Sequence, residues 1–234
     1  MPRSQASRLQ ASRQQGHPVR IGLIHATSLA VEPAMTAFHE FWPEARPVNL
    51  VDESLQIDAA NTNYDGPSFT QRILMLAEYQ VANAAEALLF TCSAFSDAIK
   101  AAGRALDVPV LRPDEAAIER ALGLGQPVRV LCTFTPTVRV VQKLVAEFRE
   151  DPALPVAFEL VAGALEAIHA GNGTRHDTLI AEAAARASEP VLVLGQYSMA
   201  RAAGLVEKTA GRAAITGPAM AVRMLRTLVE TRGT

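Results

Sequence analysis

One stretch, Ala87-Leu88-Leu89-Phe90-Thr91-Cys92-Ser93-Ala94-Phe95-Ser96-Asp97, carries the clearest chemistry in the chain. An apolar run ends in threonine, cysteine and serine, and a helix-like segment, SDAIKAAGRAL, follows at once. This order predicts a buried strand that delivers the Cys92 thiol to its C-terminal end, where the next helix begins. Open α/β sheets bind ligands at that edge, and a helix N-terminus there favours anions and thiolates. A thiolate at Cys92 must form against an ordinary pKa of about 8.5. The same letters also fit a buried, inert core thiol, a common state of free cysteine.

Similar polar residues punctuate the other apolar runs. VRIGLIHATS reads as a buried strand over 19–24 that ends at His25, Thr27 and Ser28. PVNLVDES ends in Asp52, Glu53 and Ser54, VRVLCTFTPT in Thr133, Thr135 and Thr137, and VLVLGQYS in Gln196, Tyr197 and Ser198. With Ser93, such a ring of hydroxyl and amide groups suits one or two carboxylates of a small anion. His25 fits a substrate ligand, a general acid or an ordinary turn residue. Asp52 and Glu53 fit a substrate amine or a solvated turn, and Tyr197 fits a substrate donor or a packed ring. Cys132, inside VRVLC, reads as core. His169 and His176 read as surface or loop positions without a role, and Arg201 as a solvated charge. No GxGxxG follows the first strand and no GxxxxGK[ST] occurs, which argues against a nucleotide. The histidines lack metal-ligand spacing and HExxH is absent, so no metal site and no cofactor are expected.

The elements that must position these residues alternate. Helices are expected over about 30–41, 69–86, up to about 106, and along DEAAIERALGLG. A loop, DAANTNYDGPS, precedes the second of them, and Pro67 and Ser68 suit its start. Strands alternating with helices imply a parallel sheet covered by helices.

The chain has 234 residues, enough for one large or two small domains with ample core. Its net charge of -2 and 5% aromatic content give no basis for nucleic acid as a partner. No apolar run approaches a membrane span. Cys92 and Cys132 make no disulfide framework at this length, so a cytoplasmic location is expected. Residues 1–18 are polar and basic without an apolar centre and read as a disordered tail.

The second half repeats the first. VRIGLIHATS aligns with VRVLCTFTPT at an offset of 109, LVDESL with LVAGAL at 110, ALLFTCSAF with VLVLGQYSM at 104, and VLRPDEA with ITGPAMA at 105. The expectation is an α/β fold of two similar Rossmann-like parallel-sheet halves related by a pseudo-twofold axis, with the active site in the cleft between them. The first half would span 19–113, joined by a C-terminal helix over 218–231, and the second 114–217. Cys92 and Gln196 fall at matching strand ends.

These residues resemble the aspartate/glutamate/hydantoin racemase superfamily, with its maleate isomerase and arylmalonate decarboxylase relatives. The likeness rests on the strand-end thiol in TCSAF, the paired strand end about a hundred residues later, and the TFxPT-like turn Thr133-Phe134-Thr135-Pro136-Thr137. It covers residues 19–230. The resemblance implies a cofactor-independent isomerase acting beside a carboxylate or carbonyl of a small carboxylic acid. In the racemases one cysteine from each half serves as thiolate base and thiol acid. Cys92 matches the first-half cysteine of a CNTA-like motif, and Ser93 stands where many members carry an asparagine that holds the substrate carboxylate. The second-half pattern LGC reads here Leu194-Gly195-Gln196. Glutamine moves no proton at neutral pH, which leaves Cys92 as a single catalytic thiol. His25, Thr27, Ser54, Ser93, Thr133, Thr135, Thr137, Gln196 and Tyr197 are the candidate substrate ligands. A lyase or decarboxylase of a malonate-like acid, and a non-catalytic acid-binding protein, stay open as alternatives. So does assembly into a homo-oligomer.

Overall fold

A computed structural model of the protein describes residues 18–232. The chain divides into two units, Met1–Arg112 with Val222–Thr234, and Pro113–Ala221. The tail expected over 1–18 lies, apart from Pro18, outside the described residues.

In the first unit the strands β1 (Arg20–His25), β2 (Arg46–Val51), β3 (Ala87–Phe90) and β4 (Val110–Leu111) form a parallel sheet in the order β2-β1-β3-β4. ALLF is buried throughout and RIGLIH nearly so, as strands covered on both faces must be. The helices are α1 (Val31–Phe41), α2 (Ser54–Ala60), α3 (Phe69–Ala82) and α4 (Ser96–Ala105). α3 starts where Pro67 and Ser68 imply, in a capping box. Ser68 Oγ accepts from Gln71 N at 3.3 Å, and Ser68 N donates to Gln71 Oε1 at 3.0 Å. α3 then crosses β1 at Gly22, where an added Cβ would lie 2.7 Å from Leu88 Cδ2 and 3.0 Å from Gln80 Cβ. The loop expected from Asp58 begins later, because α2 continues through Ala60 with Leu55 buried beneath it.

In the second unit β5 (Val128–Cys132), β6 (Val156–Leu160), β7 (Val191–Leu194) and β8 (Ala214–Thr216) repeat the pattern as β6-β5-β7-β8. The helices are α5 (Glu115–Leu122), α6 (Thr135–Phe148), α7 (Ala164–His169), α8 (Gly173–Arg186), α9 (Ala203–Ala210) and α10 (Gly217–Arg232). One core cluster joins Ile118, Val130, Cys132, Val141 and Leu144, and another joins Leu131, Ile180, Ala184, Leu194 and Val206. α10 opens in this unit, and from Val222 it belongs to the first. There Arg223 stacks 4.1 Å over the Phe41 ring, and Arg226 Nη1 donates to the Phe41 carbonyl at 3.2 Å.

The ladder registers correct the internal repeat. Ile21 pairs with Ala87 and Val128 with Val191. With Ala87 and Val191 as counterparts, Ile21 therefore matches Val128, an offset of 107 rather than 109. The same reasoning gives 109 for β2 against β6, and 104 for β4 against β8. Cys132 is thus the counterpart of His25 rather than of Leu23. A slip of two residues returns every side chain to the same face of the sheet, so the apolar pattern cannot reveal it. The pairing of Cys92 with Gln196 is unaffected.

Gly195 explains the glycine of the LGQ turn. An added Cβ would sit 2.8 Å from Cys132 Sγ and 3.1 Å from the Leu131 carbonyl oxygen. Gly195→Ala should overpack this strand end and destabilise the protein by about 1–3 kcal/mol, read as a lower urea midpoint at unchanged slope.

Candidate active site

Both strand orders change direction at one place, between β1 and β3 in the first unit and between β5 and β7 in the second. Ligands of open α/β sheets bind beyond the carboxyl ends of the strands at such a switch point. The residues found there are His25, Thr91 and Cys92 in one unit, and Cys132, Thr133, Gly195 and Gln196 in the other.

Cys92 lies two residues past the end of β3 and precedes a short 3-10 turn, Ser93–Phe95, that leads into α4. Both Cys92 and Ser93 are half-buried. Beside them, His25 is fully buried at the end of β1. Its Nδ1 lies 2.8 Å from Thr91 Oγ1 and its Nε2 lies 2.9 Å from Asn49 Oδ1. Asn49 spends its NH2 on Met35 Sδ at 3.4 Å, which leaves Oδ1 to accept from His25 Nε2–H and Nδ1 to accept from the Thr91 hydroxyl. Burial is the main influence and lowers the His25 pKa below 6.5, against the Asn49 hydrogen bond. A neutral imidazole with both nitrogens engaged is not offered to a ligand. His25 instead ties β2, β1 and β3 together and fixes Thr91 next to Cys92.

Thr27 also turns inward to its own chain, its hydroxyl accepting from Leu29 N at 3.4 Å. Ser54 is exposed and belongs to a network around Arg72, which donates to Asp52 Oδ2 at 3.1 Å and to Ser54 Oγ at 2.6 Å. Arg72 also pairs with Asp58, while the Ser54 hydroxyl donates to Asp52 Oδ1. Burial opposes ionisation of Asp52, but Ser54 and Arg72 outweigh it and hold the carboxyl below its ordinary range.

In the second unit Gln196 Oε1 accepts from Thr133 N at 2.6 Å and from Thr133 Oγ1 at 3.0 Å. Thr133 and Thr137 are buried, whereas Thr135 is exposed at the start of α6. Tyr197 is 3% exposed, and its hydroxyl has no hydrogen-bond partner among the described residues. Burial and then the Asp114 charge raise its pKa well above 10.0, so the phenol keeps its proton. Cys132 is fully buried, and the same two causes push its thiol up to about 12. The reading of Cys132 as core agrees with both facts.

The sequence did not single out Thr91, Asn49, Arg72 or Asp114. Asn49, a polar residue inside the apolar run PVNLV, was the readable signal for a buried polar partner. His176 differs from its expected surface place. It is fully buried in α8 with Nδ1 2.8 Å from Asp177 Oδ1. Asp177 also accepts from Arg201 at 2.9 Å, so that arginine is half of an ion pair. Both arise because α8 packs against the turn Tyr197–Ala202, which local periodicity does not encode. Among the described residues no group of three or more His, Cys, Asp or Glu could hold a metal ion, and no helix is long and apolar enough to cross a membrane.

Paired four-stranded parallel sheets with polar residues at matching switch points define a racemase-type α/β protein. The chain belongs to the Asp/Glu/Hydantoin racemase family, whose model matches residues 21–225, and it shares that family's character as a family of enzymes. Among solved structures it is similar to glutamate racemase isoform RacE1 from Bacillus anthracis, at 16% identity and TM-score 0.67 over 93% of this chain and 84% of that one. It is also similar to allantoin racemase from Klebsiella pneumoniae, at 17% identity and TM-score 0.66 over 92% and 89%. A glycine-to-cysteine mutant of arylmalonate decarboxylase, in a sulfate-associated form, matches at 14% identity and TM-score 0.63 over 90% and 93%. No curated protein matches the sequence.

The His25 environment has a pH consequence. The folded state holds this imidazole neutral, whereas the unfolded chain takes up a proton near pH 6.5. Its contribution to stability is therefore present above that pH and is lost as pH falls through it. The drop in urea midpoint from pH 7.5 to 5.5 should be larger for the native protein than for His25→Gln. Equal drops would show that His25 titrates as freely in the fold as outside it.

Proposed function

We propose that the chain is a cofactor-independent isomerase-type enzyme acting at the carbon next to a carboxylate or carbonyl of a small acid, with Cys92 as its single catalytic thiol. One observation carries this reading. Cys92 stands half-buried at the switch-point end of β3, while Cys132 is fully buried with its thiol pushed up to about 12. Only the first of these thiols has the access that a nucleophile or proton carrier needs. Family membership supports the reaction class.

In this reading the Cys92 thiolate takes the proton from the activated carbon and becomes a thiol, and the C–H electron pair passes into the adjacent carbonyl as an enolate. Return of the proton to the same carbon completes one-face exchange, and its delivery to another carbon of a conjugated enolate completes isomerisation. Addition of the thiolate to a double bond, rotation and elimination is the covalent route to the same class of outcome. Ser93, Thr135, Thr137 and Gln196 bind the acid, and Gln196 donates to an oxygen on which charge develops. Tyr197, whose phenol stays protonated, is a further candidate hydrogen-bond donor to the acid. Thr27 and Ser54 are weaker candidates, since their hydroxyls already serve Leu29, Asp52 and Arg72. The small acid is the partner, and a reducing, cytoplasmic setting suits the thiol.

A second reading is favoured by Gln196 itself, because a strand end without a titratable group suits decarboxylation. Loss of CO2 leaves the C–C electron pair on the α-carbon as an enediolate, and the Cys92 thiol supplies the proton. The arylmalonate decarboxylase likeness supports this version.

Two outcomes are expected. Iodoacetamide near neutral pH should alkylate Cys92 in the folded protein and leave Cys132 unmodified, as read by peptide mass. Equal labelling would remove the distinction between the thiols. A panel of small 2-substituted acids and malonates should yield a substrate whose turnover falls by at least about a hundredfold in Cys92→Ala. Persistent binding without turnover in the native protein would instead mark a non-catalytic acid-binding protein.

A further inference from the structure

We infer that Thr133 is a positioning residue that locks the Gln196 amide with its NH2 outermost, so that the group held at this sheet edge must be a hydrogen-bond acceptor, a carboxylate or carbonyl oxygen, and not an amine. This rests on the reading of Gln196 as a substrate ligand and specifies what that ligand selects.

The argument starts from the Thr133 backbone. A backbone N–H only donates, so the atom 2.6 Å from it must be the amide oxygen of Gln196. The choice between oxygen and nitrogen ends of a glutamine is therefore decided by chemistry here. The Thr133 hydroxyl donates to the same oxygen at 3.0 Å, and an amide oxygen has two lone pairs. The accepting end of Gln196 is saturated. Its two N–H groups meet no acceptor among the described residues, and the side chain is only half-buried. What the Gln196 side chain presents is donor capacity alone.

Both ends of this clamp are anchored. Gly195 N donates to the Leu131 carbonyl at 2.8 Å, which draws the start of the 196 turn against β5. Val161 N donates to the Cys132 carbonyl at 2.7 Å and holds the end of β5 from its other side. Thr133, 6% exposed, follows directly. A donor on rigid strand ends keeps its aim without paying side-chain entropy on each binding event. An ammonium group brought to the Gln196 amide would meet only its N–H groups. A substrate that carries both amine and carboxylate must therefore put an oxygen at this edge.

The test uses the full chain, labelled with 15N, and titrates it with sodium malonate and with methylammonium chloride at fixed ionic strength. In the free protein the Thr133 amide proton should resonate downfield and exchange slowly, and Gln196→Ala should abolish both signatures. Malonate should shift the Gln196 side-chain NH2 resonances and methylammonium should leave them in place. Gln196→Glu, which can accept from Thr133 but presents no donor, should weaken malonate binding by at least about tenfold. Thr133→Val should weaken it about three- to tenfold by freeing the amide, and Thr133→Ser should restore native affinity. Thr133→Ser as defective as Thr133→Val, an unshifted Gln196 NH2 in malonate, or undiminished binding by a folded Gln196→Glu would each overturn the inference. If these responses occur while Cys92→Ala retains turnover, the assignment of Cys92 falls and the Gln196 clamp stands.

Discussion

The backbone N–H of Thr133 needs an acceptor, and Gln196 Oε1 supplies it at 2.6 Å from the neighbouring strand end. Much of the second unit's chemical character follows from that contact. It closes the gap between β5 and β7, uses up the accepting end of the amide and turns the donors outward. The first unit solves the same problem with different residues. There His25 reaches from β1 to the Thr91 hydroxyl and to Asn49, and both of its nitrogens are consumed. One bridge is closed upon itself beside Cys92, while the other leaves a pair of N–H groups over. The two edges are built on the same strand order and carry different groups, a thiol on one and a fixed donor on the other.

This contrast bears on the family to which the chain belongs. A two-thiol mechanism needs a titratable group on each side of the reacting carbon. Gln196 occupies the counterpart of Cys92 and cannot titrate, and Cys132 lies buried with a thiol pushed up to about 12. His25, the remaining titratable group at the first edge, is held neutral by its burial and is engaged at both nitrogens. The chemistry proposed above is accordingly that of one mobile proton and one stationary charge stabiliser.

The architecture was legible because fully buried parallel strands write themselves as continuous apolar runs, and ALLF and VLVL each became one. The start of α3 was legible because Ser68 and Gln71 form a local box. The register of the repeat was not, since a two-residue slip preserves the burial pattern of β1 and moves Cys132 from the level of Leu23 to that of His25. The Arg72 network and the His176–Asp177–Arg201 chain were equally hidden, because each joins residues from separate elements with no shared period. At the candidate site the sequence identified Cys92, Thr133 and Gln196 by their places after strands. It could not tell a ligand from a bridge at His25, where the answer depends on Asn49, 24 residues away.

The central claim is that one thiol, Cys92, carries the proton. The direct measurement is turnover of the true substrate in D2O, with the position and handedness of deuterium read by NMR and chiral chromatography. The account predicts deuterium on a single face of the α-carbon, with no incorporation in Cys92→Ala and slowed, stereochemically unchanged incorporation in Gln196→Ala. Deuterium on both faces at comparable rates in the native protein would contradict it, since that result requires a second proton carrier opposite Cys92.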